Sequence, residues 1–223
     1  MLLLSFHPFG DARTAPFHPQ IHNVGNTGVG GAFHARCALA ATAMIDHLAY
    51  GGRDMRAELA ARVADETEGT VLDVGCGVGT MTKALCDTER FSRVVGIDTS
   101  QEMLHVARQR VPTARFLCAN GVDAARVRVD AAVVSMVMHE APPRAHRELL
   151  TALFRAAPVV YVADISPAYT PSAAMLMGEP YVQTYQKTFQ ATADRVAQKQ
   201  GRRVDVDDLV TGHVRVWRFS ESF

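Results

Sequence analysis

Hydrophobic and polar positions follow a helical period near the start of the chain. Over residues 33–49 apolar side chains recur every three or four positions, and Gly51-Gly52 end the pattern. Asp54 can cap a second helix whose apolar positions share one face, namely Met55, Leu59 and Val63. Residues 1–31 hold three Pro and five Gly with little periodicity, and they predict an irregular arm. Residues 1–66 are therefore expected to form an N-terminal arm and helical cap, or lid.

From residue 70 onward, short apolar runs alternate with amphipathic stretches. The runs predict strands over residues 71–74, 93–97, 115–118, 131–134 and 159–163. Helices are predicted between them, over 81–86, from about 101, and from Pro143, which suits a first helical turn. Strands that alternate with helices in this way indicate a parallel sheet that is covered on both faces.

The C-terminal part has a different order of elements. Residues 179–200 predict one long helix, and residues 203–206 and 213–219 predict two strands. The connection between these strands is too short for a crossover helix, so they are expected to pair antiparallel. We therefore expect an α/β fold with a doubly wound, mostly parallel seven-stranded sheet over residues 67–223, preceded by the helical cap.

Composition and charge narrow the possible partners. The chain has 23 basic and 23 acidic residues, so no net positive charge favours nucleic acid or an anionic membrane. No run of 18 apolar residues predicts a membrane span, and the apolar start is too short for a signal peptide. Four separated cysteines favour a reducing compartment. These features predict a cytoplasmic protein, a monomer or homodimer, with no nucleic-acid or membrane partner.

Candidate chemistry is concentrated where the first predicted strand meets its helix. The segment Asp73-Val74-Gly75-Cys76-Gly77-Val78-Gly79 places three glycines at a turn where such sheets bind ligands. Asp98 ends the next strand, roughly 20 residues further on, where a carboxylate can accept hydrogen bonds from both ribose hydroxyls. Together the two features predict a cofactor with an adenosine moiety.

The spacing of the glycines discriminates between such cofactors. A dinucleotide fingerprint that begins at Gly75 or Gly77 would need glycine where Thr80 or Thr82 stands. Asp73 adds a carboxylate that a pyrophosphate disfavours and that an ammonium or sulfonium group favours. The loop therefore suits S-adenosylmethionine better than NAD. No Lys-Ser/Thr pair follows the glycines, which excludes a P-loop.

These motifs resemble those of the class I S-adenosylmethionine-dependent methyltransferases over roughly residues 70–165. The glycine loop resembles the family's first motif, Gly96-Ile97-Asp98 with Met103 its second, and residues 130–140 its fourth strand and exit loop. The resemblance implies that the loop holds the methionine end of the cofactor, Asp98 the ribose and Met103 the adenine. Asn120 stands where many members have Asp. The expected cofactor-binding residues are Asp73, Gly75, Gly77, Gly79, Asp98, Thr99, Met103, Asn120, Gly121 and Ser135.

The acceptor side of the site is less closely defined. His139 and Glu140 follow the fourth strand, and His139 is a candidate general base, with simple pocket lining as its alternative. The arm and first helix are expected to fold over the cofactor and to bring His22, Asn26 and His34 to the substrate. Tyr181 and Tyr185 are further candidates for the substrate pocket, although core packing is an alternative for both. No metal is expected.

The resulting functional hypothesis is methyl transfer from S-adenosylmethionine to an O, N or S atom of a small molecule. The acceptor atom would attack the sulfonium methyl in line, and S-adenosylhomocysteine would leave. The Asn-Pro-Pro-Tyr signature of DNA-base amino methyltransferases is absent after the fourth strand. Two alternatives stay open at this point: a NAD-dependent oxidoreductase, and a methyltransferase-like binding protein without activity.

Overall fold

A computed structural model describes residues 27–222 of the chain. Seven strands form one sheet: β1 Gly69–Val74, β2 Phe91–Asp98, β3 Arg115–Cys118, β4 Ala131–Ser135, β5 Val159–Ile165, β6 Arg202–Val210 and β7 Val214–Glu221. Their spatial order is β3-β2-β1-β4-β5-β7-β6. The first five strands are parallel, and β7 runs antiparallel between β5 and β6. The predicted doubly wound α/β fold is confirmed.

Seven helices surround the sheet in the described part of the chain. They are α1 Gly28–Ala49, α2 Met55–Glu66, α3 Thr80–Asp87, α4 Gln101–Arg110, α5 Pro143–Ala156, α6 Ala173–Gly178 and α7 Val182–Lys199. Two 3-10 turns follow β3 and β4, at Gly121–Arg126 and Met138–Glu140. Within residues 27–222 no helix is long and apolar enough to cross a membrane.

The core lies on both faces of the sheet because the side chains of buried strands alternate between the faces. In β1, Val71 packs into one apolar cluster with α2 and α3, while Leu72 packs into a second with α5 and α7. Leu150 of α5 is fully buried in the second cluster. The continuous apolar runs seen in the sequence are therefore strands that are covered on both sides.

The two predicted cap helices pack in different ways. The apolar face of α2 is buried against the sheet and α3, so this helix shares the main core. Helix α1 packs instead on α4. It begins at Gly28, earlier than predicted, where Glu102 of α4 accepts the Gly28 amide at 2.6 Å. That carboxylate partners one of the orphan amides of the first helical turn.

The segment before α7 also differs from the sequence prediction. One long helix was expected from residue 179, but α6 ends at Gly178 and α7 begins at Val182. The Ser172 side chain caps α6 by accepting the Met175 amide at 3.2 Å. The residues between the two helices reach the cavity described below.

Truncation of the core is expected to cost far more stability than truncation of α1. We predict that Leu150→Ala lowers the free energy of unfolding by about 2–5 kcal/mol, because it leaves a cavity beneath α5. Leu48→Ala, on an α1 side chain that is 75% exposed, should change it by less than about 0.5 kcal/mol. Urea denaturation of both variants measures the difference, and equal losses would contradict this assignment of the core.

Candidate active site

The glycine loop leaves β1 in a backbone conformation that requires glycine. Gly75, Gly77 and Gly79 have φ values of 72°, 52° and 78°. A Cβ on Gly75 would lie 2.4 Å from Cγ2 of Val137, which follows β4, so the two loops meet there without room for a side chain. A Cβ on Gly77 would meet nothing within 4 Å. The loop is thus closely packed at Gly75 and open at Gly77.

A cavity of about 1180 Å³ lies above the carboxyl ends of β1, β2 and β4. Such crevices are where open α/β sheets bind ligands. The structure brings most of the sequence-predicted residues to its wall: His34, Gly75, Gly77, Asp98, Thr99, Met103, Asn120, Gly121, Ser135, His139, Glu140 and Tyr181. Asp73, Gly79 and Tyr185 are not in the wall. His22 and Asn26 lie outside the described residues.

Asp98 joins the glycine loop to the end of β2. One carboxylate oxygen accepts the Gly77 amide and the other accepts the Ser100 amide, each at 2.8 Å. Burial raises the pKa of Asp98, and these backbone hydrogen bonds partly offset the rise. The carboxylate also has a lone pair that can accept a hydroxyl from the cavity.

Asp73 lies behind the glycine loop, which corrects the expectation that it faces the cofactor. Its side chain is buried, and one carboxylate oxygen accepts the Thr82 hydroxyl at 2.5 Å. The other oxygen has no hydrogen-bond partner within the described residues. Burial raises the pKa of Asp73 to about 7, against the lowering effect of the Thr82 hydrogen bond. This carboxyl therefore connects β1 to the first turn of α3.

Met103 and Asn120 form another part of the wall. Met103 is buried and packs with Val78 and with Ala35 of α1, so it contributes to both the core and the cavity. The Asn120 side-chain oxygen accepts the Val122 amide at 3.3 Å and caps the first 3-10 turn. One lone pair of that oxygen stays available to a ligand.

The turn that follows β4 has a strained backbone and is fixed by several hydrogen bonds. Met136 has a φ of 58°, an unfavourable conformation for a residue other than glycine. Its amide donates to the Ala163 carbonyl at 2.8 Å. Asp164, at the end of β5, then accepts the backbone amides of Val137, Met138 and His139 at 3.1, 2.7 and 3.3 Å. These bonds fix the turn that carries His139 and Glu140.

His139 lies between two carboxylates. Its Nδ1 is 2.6 Å from Asp164, and its Nε2 is 3.2 Å from Glu179, which lies between α6 and α7. Burial alone would lower the pKa of His139, but the two carboxylates reverse this and hold it well above the usual range. The sequence analysis identified neither Asp164 nor Glu179.

Tyr181 and Tyr185 occupy different environments, although they are one helical turn apart. Tyr181 lines the cavity, as predicted. Tyr185 is fully buried and donates its hydroxyl to the Ile165 carbonyl at 3.0 Å, so the prediction of a substrate contact for Tyr185 is corrected. A buried phenol needs such a partner, and this bond keeps the ring in the core.

Comparisons with known proteins find similar domains and folds. A family model described as a methyltransferase domain matches residues 71–158. Trans-aconitate 2-methyltransferase of Enterobacter sp. (strain 638) is 41% identical over 73 residues, which are 32% of this chain and 29% of that protein. The protein of the same name from Azoarcus sp. (strain BH72) is 38% identical over 99 residues, 44% and 38% of the two chains. The chain thus spans less than half the length of the curated relatives it matches.

Solved structures share the fold at low sequence identity. The methyltransferase domain of bacterial CtHen1 has a TM-score of 0.63 and 19% identity, with 75% of this chain and 97% of that chain covered. The plantazolicin methyltransferase BamL, solved with SAH, has a TM-score of 0.62 and 14% identity, with coverage of 87% and 92%. Residues 71–158 thus match a methyltransferase domain, and the described part of the chain has the fold of solved methyltransferases. Two of the solved neighbours contain the cofactor or its product: BamL has SAH bound, and a magnesium protoporphyrin IX methyltransferase from Synechocystis has SAM bound.

The buried carboxyl of Asp73 predicts a distinctive dependence of stability on pH. Its folded pKa of about 7 lies above the unfolded value of about 3.9, so the folded state binds the proton more tightly. Its contribution to stability is complete below about pH 4 and is lost as the pH rises to about 7. Asp73→Asn should therefore stabilise the protein relative to wild type at pH 8 more than at pH 4.5, by on the order of 1–3 kcal/mol.

Urea denaturation of the wild type and of Asp73→Asn at both pH values measures this difference. Asp87→Asn, which removes an exposed carboxylate from α3, is the matched control and should show no such dependence on pH. A constant difference between Asp73→Asn and wild type would show that Asp73 is ionised in the folded protein throughout this range.

Proposed function

We propose that this chain binds S-adenosylmethionine in the cavity and transfers its methyl group to a small-molecule acceptor. The observation that carries the proposal is the position of Asp98 beside the open Gly77. There a carboxylate and a backbone without a side chain reach the same cavity. We infer further that the protein acts in the cytoplasm, as a monomer or homodimer, without a nucleic-acid or membrane partner.

The residues present fit this cofactor. The Asp98 carboxylate suits a ribose hydroxyl as an acceptor, and the open Gly77 leaves backbone accessible to the methionine end. Met103 and Asn120 offer an apolar surface and a hydrogen-bond acceptor for the adenine. When bound, S-adenosylmethionine supplies an activated methyl group. The chain's own residues bind and orient both reactants, and alignment of this kind supplies much of the rate in such transfers.

The size of the cavity leaves room for an acceptor next to the cofactor. At about 1180 Å³ it exceeds the roughly 300–1,000 Å³ of ordinary small-molecule sites. Its further wall is formed by α1, the β4 exit and the α6–α7 link, with His34, Glu140 and Tyr181 among its residues. These three residues are candidates to contact the acceptor.

The relatives suggest where to begin the search for the acceptor. Two of the curated proteins are trans-aconitate methyltransferases, and one structural neighbour is a plantazolicin methyltransferase. The aligned segments of 73 and 99 residues are shorter than the stretch of chain between His34 and Tyr181. The likeness to the curated relatives therefore does not extend over the whole acceptor wall, and the acceptor of this chain is a separate question.

Removal of the Asp98 carboxylate should weaken cofactor binding. We expect Asp98→Ala to raise the Kd for S-adenosylhomocysteine roughly ten- to hundredfold, because about 1.5–3 kcal/mol of charged hydrogen bonding is lost. Isothermal titration calorimetry measures the change. Asp87→Asn removes an exposed carboxylate that is paired with Lys83 away from the cavity, and it should bind like wild type. An unchanged Kd for Asp98→Ala would contradict the assignment of the ribose site.

Transfer activity is tested with methyl-labelled S-adenosylmethionine and a panel of acceptors. The panel should contain trans-aconitate and other small carboxylic acids, phenols, aliphatic amines, thiols and a desmethyl-plantazolicin analogue. Label transferred to one class, and lost in Asp98→Ala, is the expected result. Binding of S-adenosylhomocysteine without transfer to any acceptor would favour a methyltransferase-like binding protein.

A further inference from the structure

A buried series of three ionisable side chains connects the exits of two strands to the α6–α7 link. Asp164 ends β5, His139 follows β4, and Glu179 lies between α6 and α7. Asp164 is fully buried and His139 is 3% exposed. Both His139 and Glu179 line the cavity. This arrangement, the Asp164–His139–Glu179 relay, is independent of the residues that are expected to hold the cofactor.

Hydrogen bonding at Nδ1 and charge pairing at Nε2 indicate where the protons of His139 lie. A carboxylate accepts hydrogen bonds and donates none, so Nδ1 must carry a hydrogen to bond Asp164 at 2.6 Å. Nε2 lies 3.2 Å from a Glu179 carboxylate oxygen, within ion-pair distance but outside hydrogen-bond geometry. A hydrogen on Nε2 as well gives the two carboxylates a countercharge between them. An imidazole with hydrogen on both nitrogens is a cation, and a buried cation between two carboxylates has the pairing that burial demands.

The other groups around the ring do not change this result. Tyr185 of α7 contacts the ring edge-on, with centroids 6.3 Å apart, and its phenol donates to a backbone carbonyl. His146 of α5 donates Nε2–H to the carbonyls of Met138 and Ala141, and burial lowers its pKa, so it stays neutral. Neither group adds a charge beside His139.

We propose that His139 is a positioning residue, a permanent cation that joins Glu179 to Asp164 and fixes the acceptor wall of the cavity. It does not remove a proton from the acceptor, because neither ring nitrogen has a lone pair to receive one. The carboxylates of Glu179 and Glu140 both line this side of the cavity and both carry oxygen lone pairs. The proposal depends on the proposed function in one respect, namely that the cavity binds a methyl acceptor.

The relay also explains how the α6–α7 link is held. Asp164 fixes the β4 exit through three backbone amides, and His139 extends that attachment to Glu179. Loss of the ion pair between His139 and Glu179 would release the link from the sheet while leaving β4 and β5 in place. The α6–α7 link should therefore be the first part of the acceptor wall to open.

The protonation state of His139 can be measured without cofactor or acceptor. We would record ¹⁵N spectra of the full chain labelled at histidine, between pH 6 and 9, and assign His139 by comparison with His139→Gln. At pH 7.5 a histidine with an ordinary pKa is about 10% protonated, whereas His139 should show two protonated nitrogens. In Glu179→Gln its titration should move to lower pH, and in Asp164→Asn it should move further.

Glu148→Gln is the matched control, since it removes an exposed acid at the mouth of the same cavity on α5. It should leave the His139 titration unchanged. Hydrogen exchange supplies the second measurement: amides of α6 and the α6–α7 link should exchange several-fold faster in Glu179→Gln and His139→Gln, and at the wild-type rate in Glu148→Gln. If Asp164→Asn does not fold, Glu179→Gln still tests the proposal.

A neutral His139 at pH 7.5 in the wild type would overturn the proposal. So would a titration, or an exchange rate in the α6–α7 link, that Glu179→Gln leaves unchanged. These outcomes are separate from the proposed function, because a protein that failed to bind S-adenosylhomocysteine would still show the two protonated nitrogens.

Discussion

The buried carboxylate of Asp164 fixes the turn that follows β4 at the candidate active site. It accepts three backbone amides from the turn after β4 and the Nδ1–H of His139, all within 3.3 Å. Val137 of that turn is thereby kept against Gly75, where a single added Cβ would meet it at 2.4 Å. One buried carboxylate therefore fixes the turn that packs against the glycine loop at the cavity wall. Because it has four donors from one turn, its burial is compensated.

Most of the sheet followed from sequence periodicity because both of its faces are buried. Apolar runs such as residues 71–74 and 159–163 then become strands almost without regard to their neighbours. The role of Asp164 was missed because its partners are 25–27 positions away along the chain and become neighbours only when β4 and β5 pair. One signal was present, since Asp164, like Asp98, comes at the carboxyl end of a buried parallel strand.

Two acids with similar sequence contexts have different roles for a reason that sequence does not contain. Asp73 and Asp98 each belong to a buried strand near the same crevice. Asp73 points below the glycine loop toward Thr82 of α3, while Asp98 reaches the amides of Gly77 and Ser100 at the cavity wall. The difference depends on the direction in which α3 and α4 leave the sheet. The sequence places a carboxylate at each position, but it does not predict whether that carboxylate faces the cavity or α3.

Helix α1 completes the cavity through attachments near its two ends. Glu102 of α4 accepts the Gly28 amide at the start of the helix, and Asp46 near its end pairs with Arg56 of α2 at 2.9 Å. Between these contacts the helix presents apolar residues to the cavity, and two of them, Met44 and Ile45, are exposed. Apolar burial along the middle of α1 is therefore incomplete, and the polar contacts near its ends hold it over the crevice. A ligand that covered those side chains would supply the burial that α1 lacks.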